Sequence, residues 1–256
     1  MHSSRRRLRL WDLLVLLPAL ALAPAAQAYR PFDSTDAAVA APGEFELELG
    51  PLGRLREGAA RTLVAPAVVA NFGIEGGREI VLQGQRQVPL GDGLGSDPPG
   101  RRAAVTDTGL FLKQVLRPGT LQDEAGPSIA TEYGVLLPTY HGEPGAGLSA
   151  AAIVSQRSPL GTVHFNSVLS LTRSHRADLF LGGVVEGPDA WTVRPVAELF
   201  AEQERGGVRT VSRLAGAIWR VSESLSFDLG LRQAHVGSEV VREVRLGLTW
   251  AFPWRR

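Results

Sequence analysis

Glu243-Val244-Arg245-Leu246-Gly247-Leu248-Thr249-Trp250-Ala251-Phe252 is the stretch that decides the fold. Val244, Leu246, Leu248, Trp250 and Phe252 share one parity, and Glu243, Arg245 and Thr249 share the other. A repeat of two belongs to an extended strand, whose successive side chains point to opposite faces. The ten residues are long enough to cross a bilayer as a tilted strand, which takes roughly nine to eleven, and the aromatic pair sits where an interface girdle would. Glu44-Phe45-Glu46-Leu47-Glu48-Leu49 repeats the pattern near the other end of the chain, with three glutamates opposite Phe45, Leu47 and Leu49.

Between these two segments the same alternation recurs near 62–72, 78–87, 106–117, 128–138, 147–156, 161–172, 178–186, 191–202, 210–220 and 225–233, which makes twelve strands in all. Connections 73–77, 157–160, 187–190 and 222–224 are tight, whereas 90–105, 139–146 and 203–209 are longer and rich in Gly, Pro or charge. Short turns on one side, longer loops on the other and an even strand number are the marks of an outer-membrane barrel with both termini on the periplasmic side. Connection 117–127 is the exception, since it falls on the short side yet is long. The expectation is therefore an all-β, antiparallel transmembrane barrel over residues 42–252. A soluble periplasmic β-sandwich is the competing reading, because its strands alternate too.

Composition agrees. With 256 residues, 44% hydrophobic and 21% charged, the chain is neither disordered nor collagen-like. It has no cysteine, so no disulfide framework and no thiolate zinc site or nucleophile. Its net charge of +1 is too small for a nucleic-acid footprint, and no nucleic-acid partner is expected. Arg5, Arg6, Arg7 and Arg9 precede an apolar run over 13–23 that Pro18 interrupts, and Ala26-Gln27-Ala28 offers a cleavage site after Ala28. Residues 1–28 thus read as a secretory signal, too short in its apolar part to span as a helix. Removing them takes the formal charge to −2, because four arginines and Asp12 leave together. An extended lead over 29–41 follows, and residues 253–256 extend past the last strand.

Several stretches resemble the outer-membrane family described as putative MetA-pathway of phenol degradation proteins. These are Arg30-Pro31-Phe32-Asp33-Ser34-Thr35-Asp36, then Pro42-Gly43-Glu44 entering a Glu-rich strand, Asp107-Thr108-Gly109-Leu110 with Lys113, and Tyr133-Gly134-Val135-Leu136-Leu137-Pro138-Thr139. Leu246, Leu248, Trp250 and Phe252 resemble the C-terminal signal that barrel-assembly machinery reads, although Pro253-Trp254-Arg255-Arg256 follow the usual closing aromatic. The resemblance implies a barrel that passes small, often hydrophobic or aromatic, solutes across the outer membrane, with no catalytic residues and no cofactor.

If the apolar parity meets lipid, the opposite parity lines the lumen. That assigns inward Glu46, Glu48, Glu79, Gln83, Gln85, Asp107, Lys113, Glu132, His164, Asn166, Asp178, Arg194, Glu198, Asp228, Arg232, Glu243 and Arg245. Nine acids against four bases suggest a polar channel that favours cations. The plainer reading makes Arg194 and Glu198, or Asp228 and Arg232, members of internal ion-pair networks that block flow, in a plugged structural or partner-binding barrel. The lead, with Asp33 and Asp36, is a candidate plug. Arg213 and Arg220 have opposite parity, so strand 210–220 cannot be oriented.

Catalysis finds no support in the spacing. His164 and Ser167 point to opposite faces of one strand, His164 and Ser170 lie about 20 Å apart by strand rise, and His175 beside Ser174 lacks an orienting partner. His141, His164, His175 and His235 show no metal-ligand spacing. The expected partners are outer-membrane lipid, the assembly machinery and a small solute.

Overall fold

Each alternating segment finds two antiparallel neighbours, which is the only way a sheet can leave no edge. The computed structural model describes residues 31–57, 60–90 and 102–254. Twelve strands follow one another: β1 (Glu44–Glu57), β2 (Ala60–Ile74), β3 (Arg78–Leu90), β4 (Ala104–Arg117), β5 (Ser128–Leu136), β6 (Gly147–Ser158), β7 (Gly161–Leu171), β8 (Ala177–Glu186), β9 (Val193–Glu204), β10 (Arg209–Arg220), β11 (Leu225–Val236) and β12 (Glu239–Pro253). β12 pairs back on β1, from Glu44 with Pro253 to Glu57 with Val241, so the sheet closes into a barrel. The sandwich reading is thereby excluded. The expected signal sequence, with its expected cleavage site at Ala26 and Ala28, lies outside the described residues.

The outer wall carries the large apolar side chains that a soluble protein would hide. Leu199 is 67% exposed, Leu169 63% and Leu231 61%, which makes hydrocarbon the only solvent that suits this wall. The opposite parity is buried: in β9, Arg194, Val196, Glu198 and Phe200 are buried while Val193, Pro195, Ala197 and Leu199 are exposed. The same alternation settles β10. Ser212, Leu214 and Ile218 are buried, so Arg220 shares the inner parity and Arg213 the outer one.

Three connections differ from their sequence reading, each for a local reason. β1 runs on to Glu57 and β2 starts at Ala60, because Gly50-Pro51 and Gly53 mark a bulge and not a turn. β11 and β12 meet in a two-residue hairpin at Gly237 and Ser238, with Gly237 in the left-handed region at φ 59°. The long connection 118–127 contains a 3-10 turn over Thr120–Gln122 that places Leu121 inside the barrel against Ala37.

One rim holds the start of β1 and the end of β12, Glu44 opposite Pro253, and is the terminal end; the other is the loop end. At the terminal end Phe45 packs on Phe72 at 4.7 Å and on Phe252 at 5.0 Å, and Phe252 packs on Trp250 at 4.8 Å. Trp254 joins this group edge-on to Phe72 at 6.4 Å, and its N–H donates to the Gly43 carbonyl at 2.9 Å. Pro253 and Trp254 therefore extend the closing seam. Leu229, in the middle of the outer face of β11, tests the lipid-facing assignment: Leu229→Arg should cost about 2 to 4 kcal/mol in urea titrations of the barrel in vesicles.

Candidate functional site

The lumen is built around the lead. Residues 31–41 enter at the terminal end and run along the inner wall from β3 round to β12, their backbone groups held by wall side chains. Gly73 admits the chain, for a Cβ there would overlap the Ala41 carbonyl oxygen. Ala40 N–H donates to Glu79 Oε2 at 2.7 Å, and Ala37 N–H to Ser155 Oγ at 2.9 Å. Gln122 Nε2 donates to the Ala37 carbonyl at 3.0 Å. Asn166 grips Thr35 twice, accepting its N–H at 2.9 Å and donating to its carbonyl at 2.7 Å. Glu198 accepts the N–H groups of Asp33 at 3.0 Å and Ser34 at 2.7 Å. Arg245 donates to the Pro31 carbonyl at 2.7 Å. An irregular segment inside a barrel has no ladder to join, so its polar backbone groups must find side chains.

Charge fixes the same segment. Lys113 lies 3.3 Å from Glu79 and 3.9 Å from Asp36 and is 1% exposed. Asp33 lies 3.0 Å from Arg245 and 3.3 Å from Arg232, and Glu243 lies 2.9 Å from Arg245 and 3.4 Å from Arg232. The Arg232 guanidinium also stacks over Phe200 at 5.3 Å. Arg194 pairs with Glu186 at 3.3 Å and Asp189 at 2.9 Å, and Arg232 is engaged by Asp33 and Glu243, so both arginines belong to internal ion-pair networks whose partners come from other strands, turns and the lead. Residues four apart on one strand are too distant to touch, whereas neighbours across strands are about 5 Å apart.

The remaining inward candidates divide by height. Asn71 donates to Glu48 at 3.0 Å and to Glu46 at 3.4 Å, and both glutamates are buried. Asp178 and Asp228 are buried in the wall, Asp228 with its carboxylate against Gly247. Gln83, Gln85, Asp107 and Glu132 line a cavity of about 490 Å³, and Gln85 donates to Asp107. Phe32, Asp33, Ser34 and Thr35 of the lead form one side of that cavity, Glu48, Asn71, Glu79 and Lys113 carry its lining toward the terminal end, and Val64, Ala67, Val81, Ala151 and Val168 are among its apolar lining. Ser155, Ile153, Ile218 and Thr249 have no exposed surface at all. The lead thus fills part of the lumen in the terminal half, where its backbone is held by wall side chains.

The wall beside the cavity is unevenly paired. Gly50 and Pro51 of β1 oppose Gly247 alone, Ala65 and Pro66 of β2 oppose Arg86 alone, and Asp107 and Thr108 of β4 oppose Gly84 alone. Between β1 and β2 no register pair forms from Leu49 with Val68 to Gly53 with Val64. The bulges fall at neighbouring heights on β1 to β4, and Pro51 and Pro66 lack an N–H to give to the ladder.

Ser155, His164 and Glu186 are brought together from three adjacent strands: Ser155 Oγ lies 2.8 Å from His164 Nδ1, and His164 Nε2 lies 3.5 Å from Glu186. Spacing along one strand could not reveal this row, which resembles a nucleophile relay in connectivity. Ser155 Oγ, however, accepts the Ala37 N–H and is wholly buried beneath the lead. Its role here is to anchor that segment.

A closed antiparallel barrel with an apolar outside and a polar, partly filled inside defines an outer-membrane type of β-barrel protein. No protein-family model matches the sequence and no curated protein matches it significantly, so the motif resemblance to the MetA-pathway family gains no support from sequence comparison. Solved structures do match. The COG4313 outer membrane channel from Pseudomonas putida F1 superposes with a TM-score of 0.55 at 11% identity, over 86% of this chain and 98% of that one. The KdgM porin superposes with a TM-score of 0.53 at 7% identity, over 81% and 99%, and its complex with disordered oligogalacturonate does so at 8%. The chain has the fold of these outer-membrane channels.

Lys113 is the most enclosed cation of the site. Lys113→Met should cost about 3 to 5 kcal/mol in denaturant unfolding, because it strands Glu79 and Asp36 in a buried setting. Lys113→Arg, which keeps the charge, should recover part of that loss.

Proposed function

We propose that the protein is an outer-membrane facilitator for a small, largely apolar solute, aromatic molecules included. The solute enters the cavity from the loop end and leaves through the wall between β1 and β4. The observation that carries the reading is the cavity itself, which the lead bounds on one side and an interrupted hydrogen-bond ladder on another. A solute that cannot pass the lead along the barrel axis has the bulged wall as its way out, and only an apolar solute gains by moving from a cavity into hydrocarbon. About 490 Å³ suits one small molecule. The lining supports brief residence, with valines and alanines for the body of the solute and Gln83, Gln85 and Asp107 for a single polar group. Weak binding suits passive passage, which requires release as well as capture.

In this reading the terminal end faces the periplasm, the loop end faces the medium, and Leu246, Leu248, Trp250 and Phe252 present the strand that assembly machinery engages. No cofactor is required and no chemistry is performed. An acidic carbohydrate such as the oligogalacturonate bound by the KdgM porin fits poorly, because Arg232 and Arg245 are already engaged by Asp33 and Glu243.

The absence of cysteine makes the route testable. A Cβ at Gly182 would overlap Ser34 Oγ, so Ser34→Cys with Gly182→Cys places two sulfurs within disulfide reach. Oxidation then staples the lead to β8. Uptake of a small aromatic solute into barrel-bearing vesicles should survive oxidation, while steady ion conductance stays low in both redox states. Deleting residues 31–40 should raise conductance severalfold. Uptake that stops on oxidation, or a large cation-selective conductance in the unaltered protein, would replace the lateral route with an axial one.

A further inference from the structure

One feature of the outer wall takes no part in the lumen. Arg213 of β10 stands opposite Gln233 of β11, Gln233 opposite Arg242 of β12, Arg242 opposite Arg56 of β1, and Arg56 opposite Arg61 of β2. Four arginines and a glutamine thus form one unbroken row across five adjacent strands, and the row crosses the closing seam of the barrel. Arg213 and Arg242 are exposed and have the outer parity, and Arg61 shares the parity of exposed Leu63. Arg213 donates to Gln233 at 3.1 Å. No acid stands in the row.

Its height is informative. On β12 the outer face runs Arg242, Val244, Leu246, Leu248, Trp250, so the arginine and the interfacial tryptophan are the ends of a nine-residue span. Roughly nine to eleven tilted residues cross the hydrocarbon layer. Trp250 therefore marks one interface and Arg242 the other, at the loop end. Arginine at mid-bilayer would cost about 2 to 4 kcal/mol, whereas at the interface the cost falls nearly to nothing. Directly below the row is a groove of about 590 Å³ in the outer wall, lined by Leu214, Ala215, Leu231 and Val244 on its apolar side and by Arg213, Arg232, Gln233, Arg242 and Glu243 on its polar side, with Arg232 and Glu243 of the inner parity paired to each other.

We propose that this row is a binding site for a lipid with a phosphorylated headgroup: Arg213 and Arg242 take the phosphate and the groove below takes an acyl chain. The guanidinium fork matches phosphate oxygens in pairs, and the row itself is of a single sign at the headgroup level. A protein partner would leave the groove unexplained, since the groove opens into the hydrocarbon layer. A free anion would leave it unfilled.

The test uses the full barrel in neutral detergent, with bisphosphorylated lipid A and its dephosphorylated form as probes and native mass spectrometry as the readout. The phosphorylated lipid should be retained and the dephosphorylated one lost. Arg213→Gln with Arg242→Gln should weaken retention about twenty-fivefold, at roughly fivefold per arginine. Heat-modifiable migration checks that the variant has folded. Should it fail to fold, the unaltered protein still decides, because retention must fall steeply between low and high salt. Equal retention of both lipid forms, no effect of the substitutions, or displacement by millimolar inorganic phosphate in the absence of any acyl-chain requirement would each overturn the proposal. None of these outcomes bears on the solute route, which the lead staple tests separately.

Discussion

Every backbone amide that faces hydrocarbon must be paired within the protein, and that constraint shapes the whole molecule. It forces β12 onto β1, since an open edge in lipid would leave a full strand of N–H and C=O groups unsatisfied. Closure then separates two environments by parity alone, and the sequence respects the separation down to β10, where Arg220 lies inward and Arg213 lies outward at the rim. Closure also needs a clasp. Phe45, Phe72, Phe252 and Trp254 supply one at the terminal end, where the strands that must find each other are the most distant in sequence.

The same constraint governs the lead, which enters the barrel without a ladder of its own. Its amides and carbonyls are satisfied one at a time by Glu79, Ser155, Asn166, Glu198 and Arg245, residues drawn from β3, β6, β7, β9 and β12. Here the inward charges acquire their purpose. An acid excess that would make an open pore cation-selective is instead spread over backbone N–H groups and over Lys113, Arg232 and Arg245. Breaking a buried pair of this kind strands its partner, and so the network holds as a unit.

With the lead seated in the lumen, what distinguishes one side of the barrel is the quality of its pairing. β5 to β9 pair in continuous register, whereas β1 to β4 carry bulges at neighbouring heights beside the cavity. Bulges occur where a sheet must bend or a side chain must be re-aimed. Their concentration on the cavity side ties the irregular wall to the place where a solute would sit.

The sequence by itself determined the fold class, the strand number and which parity meets lipid, because these follow from a period of two and from turn residues that any twelve-strand barrel needs. Even the long connection 117–127 was visible as an anomaly, though its cause, Leu121 seated against Ala37, was not. Pairing was beyond its reach. Arg194 and Glu198 are neighbours in sequence on β9, yet their partners are Asp189 and Glu186 for the one and the backbone of Asp33 and Ser34 for the other. Ser155, His164 and Glu186, like the arginine row from Arg213 to Arg61, become neighbours only through cross-strand register. The path of the lead was undecided for the same reason: eleven residues with no periodicity carry no signal of where they lie, and only the closed wall offers the side chains that hold them. Local alternation is written in each strand, but register and closure are properties of all twelve strands together.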